Sequence, residues 1–185
     1  MLDYLRKNPL VKFLLIAFSL YLIWYVFYLL VLKPYTSLDR DLSVILVHSA
    51  DFILSTLGYT PVTNTEYVDV TIKLHDSPTP GVWVGDNCNG VSLFSLFLIY
   101  IIAFPGPTLK KLWYIPLGVL TIHLINTIRV AALTVIERDA LETLDFNHTY
   151  TFTIVVYAFV FFLWYYWTSK LSGIQNILNT ENKQA

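Results

Sequence analysis

Three side chains in this sequence are of types that do chemistry, and they stand where an apolar chain has no structural need of them. Cys88, the only cysteine, lies in Gly85-Asp86-Asn87-Cys88-Asn89-Gly90, directly before an apolar run. Asp86 or Asn87 is a good helix N-cap, which places Cys88 in the first turn of the helix that follows. There the helix dipole and unpaired backbone N–H groups favour a thiolate, and the same groups can hold an oxyanion. Gly90 removes a side chain next to the sulfur, so an extended backbone can come close. A lone cysteine is more often a small buried hydrophobe, and the motif by itself leaves both readings open.

Arg129 falls inside the apolar run Leu112 to Ile136, with Asn126 three and His123 six residues before it. That spacing groups the three on one helical face. A central arginine in a spanning helix costs about 2.5–3.5 kcal/mol on insertion scales, so depth marks a working residue unless it anchors to headgroups or pairs with Asp51. At about 1.5 Å per residue it lies about 10 Å below the end of its helix and can extend to that surface. His148, in Asp145-Phe146-Asn147-His148-Thr149, opens the last apolar run. Histidine titrates near neutrality and can take a proton from a thiol within hydrogen-bond reach. At a membrane boundary it is otherwise an ordinary polar residue, as are His48 and His75. Haem ligation by His123 and His148 fails on depth, since His123 lies about 9 Å beyond Arg129 along the helix.

The elements that must position these residues are apolar helices. Of the 185 residues 56% are hydrophobic and only 14% charged, where a soluble domain carries about a quarter charged. The deficit collects in Leu10–Leu32, Val91–Phe104, Leu112–Ile136 and Tyr150–Trp167. About 20 helical residues cross a bilayer core. The expected fold is therefore an all-α polytopic membrane bundle of about four spanning helices plus an interfacial or re-entrant one, five or six helices in all. Its parts form one membrane domain: spans at 10–32, 88–104, 112–136 and 149–168, the interfacial or re-entrant helix at 42–58, and a polar tail at 174–185. His48, Asp51 and Ser55 give the 42–58 helix one polar stripe. The first run is too long for a signal peptide and ends in Lys33-Pro34 rather than at small residues, so it reads as a span.

Between these helices the residues from Glu66 to Leu74 alternate, with Val68, Val70, Ile72 and Leu74 on one side. With the turn residues His75 to Gly81 and a return through Val82-Trp83-Val84, they predict a small extracytoplasmic β-hairpin over 66–86, next to Cys88. Charge orients the chain if the N-terminus is cytoplasmic; a fifth crossing at 42–58 would instead turn the N-terminus outward and leave everything after Gly58 as it is. Arg6, Lys7, Lys12, Lys110, Lys111, Lys170 and Lys183 fall on one side, against Lys33, Arg40, Lys73 and Arg138 on the other; the richer side is cytoplasmic. Cys88, Arg129 and His148 then share the opposite face. A nucleophile, a cation and a base in one layer are the parts of acyl transfer through a thioester. A net charge of −1 leaves no basic stripe for nucleic acid. One cysteine excludes an internal disulfide, and no Cys/His spacing suits a metal.

The order Cys88-Asn89-Gly90, Asn126-Thr127-Ile128-Arg129-Val130 and His148, each on its own membrane segment, resembles the exosortase/archaeosortase family of membrane cysteine transpeptidases, most of all its short Bacteroidetes-type members. The resemblance covers roughly Gly85 to Trp167. It implies a cysteine peptidase/transpeptidase of the bacterial cytoplasmic (inner) membrane, its site facing the periplasm. Its substrates would be exported proteins that end in a C-terminal sorting signal with a hydrophobic tail. Cys88 would form the thioester, Arg129 would orient the thiolate or steady the oxyanion, and His148 matches the family histidine. Asn89, Gly90 and Asn126 would support the site or bind substrate. No cofactor is implied. The acceptor would be an amine or hydroxyl, on a glycan or lipid. Two departures stand out: the chain is short beside larger members, and no glycine follows His148 in Thr149 to Thr153. The competing reading is a non-enzymatic transporter subunit or assembly scaffold, in which His123, Asn126 and Arg129 line a polar path or helix contact.

Overall fold

The computed structural model describes residues 9–66 and 69–173. Tyr67 and Val68 of the expected strand, the tail at 174–185 and the cations Arg6, Lys7 and Lys183 lie outside the described residues.

Helix α1 spans Pro9–Phe27. It runs on through a π-turn, Tyr28–Leu32, into Lys33–Tyr35. The wider turn sits just before Pro34, which withdraws a donor and crowds the preceding carbonyl. Helix α2, Leu38–Thr56, carries Asp39 and Asp41 in its first turn, where they complement the positive end of the dipole. It begins four residues before the expected 42–58 helix because that polar first turn lies outside the apolar run. Ser43, Leu46, Val47, Ala50 and Leu54 form its buried face, at the i, i+3, i+4, i+7 spacing of one stripe. The polar stripe points away: His48 and Ser55 are exposed, and Asp51 accepts a hydrogen bond from Ser55 at 3.3 Å.

A three-stranded antiparallel sheet follows, in the order β1-β2-β3, with β1 at Pro61–Asn64, β2 at Thr71–Leu74 and β3 at Val82–Trp83. Pro61 pairs with Leu74 and Asn64 with Thr71, and Ile72 pairs with Val82 on the other edge. The expected hairpin is therefore two strands of a three-stranded sheet. Strand β1 has Val62 as its one large aliphatic residue, so no alternation registers there. Ile72 and Leu74 are buried, and Thr71 and Lys73 half-buried, as a one-sided sheet requires.

The remaining helices are α3, Val91–Ala103, α4, Thr108–Asp139, and α5, Phe152–Tyr166. Short 3-10 and α turns and the π-turn Asn147–Thr151 lead into α5, and a second π-turn, Trp167–Leu171, closes it. Among the described residues, three stretches are long and apolar enough to cross a membrane: Leu10–Tyr35, Thr108–Asp139 and Leu141–Leu171. Helix α3 is shorter, with 13 residues. The chain is thus a helical membrane protein with a small antiparallel sheet.

With 32 residues, α4 is about 48 Å long and exceeds a hydrocarbon core of about 30 Å. Both packing clusters are built along it. One joins α2, the sheet and the C-terminal third of α4 through Leu46, Val47, Ile72, Leu74 and Leu133. The other joins α3, α5 and the earlier part of α4 through Phe97, Tyr114, Ile122, Val160 and Trp167. Gly118 makes the α3–α4 approach close: a Cβ there would run into the Phe97 ring. An open sheet edge exposes backbone groups that lipid tails cannot satisfy, so the sheet end of α4 belongs outside the hydrocarbon.

Candidate active site

Cys88 lies in a turn before α3, not inside the helix. Its N–H donates to Gly85 O at 2.8 Å, and the N-cap is Gly90, in the left-handed region at φ 92°. The expectation that Asp86 or Asn87 caps the helix and places Cys88 in its first turn is corrected here. The physical reason is Asn89. Its Oδ1 accepts the Val91 N–H at 3.0 Å, doing a cap's work from inside the loop, and the chain reverses at the one residue without a Cβ. The sulfur therefore stands off the helix axis, half-buried.

The loop is tied from two sides. Asn89 is buried, 1% exposed, and its Nδ2 donates to Asp39 Oδ1 at 2.8 Å and to Asp39 O at 3.2 Å. The other carboxylate oxygen, Asp39 Oδ2, accepts from Tyr28 OH at 2.9 Å. Lys33 pairs with Asp86 at 2.9 Å, a second link from the end of α1. On the α4 side, Asn126 Nδ2 donates to Cys88 O at 2.8 Å. Asp39 went unread in the sequence because an acid near a helix start reads as a dipole partner; only the Tyr28 and Asn89 contacts give it a second task.

Two polar atoms approach the sulfur. His148 Nε2 lies 3.2 Å from Cys88 Sγ, and Arg129 Nη2 lies 3.8 Å from it. His148 sits in the π-turn Asn147–Thr151, where one extra residue per turn leaves carbonyls without their usual partner. The Thr153 hydroxyl donates to the His148 carbonyl at 3.1 Å, stabilising that turn. Arg129 is 8% exposed, and its Nε is buried without a partner, as is Asn126 Oδ1. A cavity of about 270 Å³ adjoins it, with Asn87, Gly90, Thr153 and Tyr157 in its walls.

His123 does not join this group. Each step of three residues turns a helix by about 300°, so His123 stands about 120° around from Arg129. Its Nε2 instead meets Ser49 Oγ of α2 at 3.2 Å. His48 and His75 are exposed and lie elsewhere. A buried carboxyl escaped the sequence reading altogether: Glu137, 2% exposed, accepts from Ser77 Oγ at 3.0 Å and joins α4 to the β2–β3 loop. Among the described residues no cluster of three or more His, Cys, Asp or Glu side chains gathers to hold a metal ion. A thiol, an imidazole at hydrogen-bond distance and a guanidinium together can perform nucleophilic acyl transfer.

The family model described as Transmembrane exosortase (Exosortase_EpsH) matches residues 10–166. No curated protein and no solved structure matches the chain. The matched stretch runs from α1 to the end of α5 and includes Cys88, Arg129 and His148. Spanning well over half of the 185 residues, it places this chain in the transmembrane exosortase family.

Proposed function

We propose that this protein is a membrane cysteine transpeptidase that cleaves C-terminal sorting signals of exported proteins and transfers them to an acceptor. The site would face the periplasmic side of a bacterial inner membrane, as the lysine and arginine distribution favours. The observation that carries the reading is the Cys88 Sγ to His148 Nε2 distance of 3.2 Å, with Arg129 Nη2 at 3.8 Å from the same sulfur. His148 takes the thiol proton, and the sulfur adds to the carbonyl carbon of the scissile peptide. The C–N bond breaks, and the departing amine, at the head of the hydrophobic tail, receives that proton. An acceptor hydroxyl or amine then adds to the thioester, gives its proton to the imidazole, and releases the sulfur. Arg129 compensates the thiolate and the negative charge on the tetrahedral oxygen, a strong interaction where water is scarce. Asn126 and Asn89 hold the Cys88 backbone still while the acyl group changes hands.

The test is Cys88→Ala in the full chain, co-expressed in membranes with an exported reporter ending in an apolar span and basic tail. The expected result is complete loss of reporter processing, with the variant present in the membrane at the normal level. Processing at the unaltered rate would refute the reading and leave a non-enzymatic membrane role.

A further inference from the structure

The cavity beside Arg129 has a neighbour along α3. It shares Ser92 and Tyr157 with a second cavity of about 260 Å³, walled on its far side by Tyr21, Trp24, Tyr25 and Tyr28 of α1. Each of three helices contributes one face at helical spacing: Tyr21, Trp24, Tyr25 and Tyr28 from α1; Ser92, Ser95 and Leu96 from α3; Thr153, Val156 and Tyr157 from α5. The four α1 rings stack in pairs, Tyr21 on Tyr25 and Trp24 on Tyr28, which stiffens that wall. From Tyr28 to Tyr21 the groove runs about 10 Å along the helix, at 1.5 Å per residue.

Chemistry grades along it. Beside the buried Arg129, whose Nε has no partner, the lining sets the polar Asn87, Ser92 and Thr153 among Leu93 and Val156. The second cavity is more aromatic and aliphatic, with Val91 and Leu96 beside Ser92 and Ser95 in its walls. We infer that this groove between α1, α3 and α5 holds the membrane-buried segment of a substrate chain that follows the cleaved bond. The inference rests on the transpeptidase reading and deepens it by giving the leaving half of the substrate a place.

The physical case has two parts. A peptide bond attacked by Cys88 must be unwound, since an intact helix turn shields its carbonyl carbon. Unwound backbone at membrane depth needs protein donors and acceptors, because lipid supplies none. The hydroxyls and amide beside Arg129 meet that need, and the more aromatic stretch beyond suits apolar side chains already helical again. An acyl chain of a lipid has no use for the polar stretch. The larger groove of about 700 Å³ between α2 and α4, with Phe52 and Leu124 in its walls, shares no lining residue with the cavity beside Arg129.

Cys88→Ala leaves the chain without cysteine, so single thiols can be placed at will. In membranes, cysteines introduced one at a time by Ser92→Cys, Leu96→Cys, Phe52→Cys or Leu124→Cys are oxidised against the reporter, which carries cysteines along the start of its apolar segment. Disulfide adducts at positions 92 and 96, and none at 52 or 124, are the expected result. Adducts at 52 or 124, or none at 92 and 96, overturn the groove, whatever the unaltered protein does to the reporter. Leu96→Trp in the catalytic chain gives an independent readout: filling the groove lowers reporter processing about tenfold or more. Alkylation of the Cys88 thiol by iodoacetamide should stay at its normal rate. Unchanged processing by Leu96→Trp also overturns the inference, while loss of processing by Cys88→Ala still upholds the transpeptidase.

Discussion

At the sheet end of α4 the hydrophobic cluster is built from aliphatic side chains such as Leu46, Val47, Ala50, Ile72, Leu74 and Leu133. Toward the other end of α4 the second cluster holds Phe97, Tyr114 and Trp167, with Ile122 and Val160 between. The first cluster has a sheet over it and belongs outside the hydrocarbon, so water is the alternative its side chains escape. The second is surrounded by lipid-facing residues such as Leu117, Leu120 and Phe161, and there lipid is the alternative. Between helices in lipid no hydrophobic driving force operates, and van der Waals packing and hydrogen bonds hold the bundle. Large rings supply packing, and Tyr114 OH donates to Leu163 O at 2.8 Å inside it. The Cys88 loop sits at the boundary, tied by Asn126 to α4 and by Asn89 to α2. Its geometry therefore depends on both clusters at once.

The largest effect should come at that boundary. His148→Ala removes the imidazole that faces Cys88 without touching either cluster, so under the proposed mechanism processing should fall about 10²- to 10⁴-fold while thermal stability in detergent stays level. A variant that loses processing and melts early would instead make His148 a packing residue.

A matched pair of truncations then sharpens the comparison itself. Ile72 and Ile122 are both fully buried. Ile72→Ala loses a transfer term and leaves a cavity, and should cost about 2–5 kcal/mol. Ile122→Ala leaves a cavity but little transfer term when the unfolded reference stays in lipid, so about 1–2 kcal/mol is expected. Equal losses, read by unfolding in micelles and bilayers, would break the two-solvent picture.

Asn126→Ala tests the tie across the boundary. The Cys88 carbonyl loses its 2.8 Å partner, and a displaced loop should lower turnover about 10²-fold with modest loss of stability. The smallest effect belongs to the rim. Arg138 pairs with Asp76 at 3.3 Å, and the Asp76 side chain is 64% exposed. Arg138→Ala should leave the melting temperature in detergent close to that of the unaltered protein.

How much of this was legible beforehand differs by element. The apolar runs announced the helices because membrane length and hydropathy are local properties of a chain. The alternation after Glu66 announced β2 for the same reason, whereas β1, Pro61–Asn64, has Val62 as its one large aliphatic residue and so no alternation to show. Cys88, Arg129 and His148 could be picked out because nucleophilic and ionisable side chains are costly in an apolar chain and draw notice. Asp39 and Glu137 could not. Near a helix end a carboxylate is unremarkable, and its partners, Asn89 and Tyr28 for one and Ser77 for the other, lie 11 to 60 residues away.

What the amino-acid sequence determined alone is the class of protein: apolar helices of membrane length, a sided distribution of lysine and arginine, and one thiol in a polar loop. The tertiary structure decided the rest. It set the sulfur in a turn ahead of Gly90 instead of on the helix, turned His123 toward Ser49 while Asn126 and Arg129 face the loop, and placed two neighbouring cavities among faces of α1, α3 and α5. Hydropathy acts residue by residue and survives in the order of letters. The distance between a thiol and an imidazole 60 positions apart depends on how α3, α4 and the turn before α5 pack, and only the folded chain fixes that.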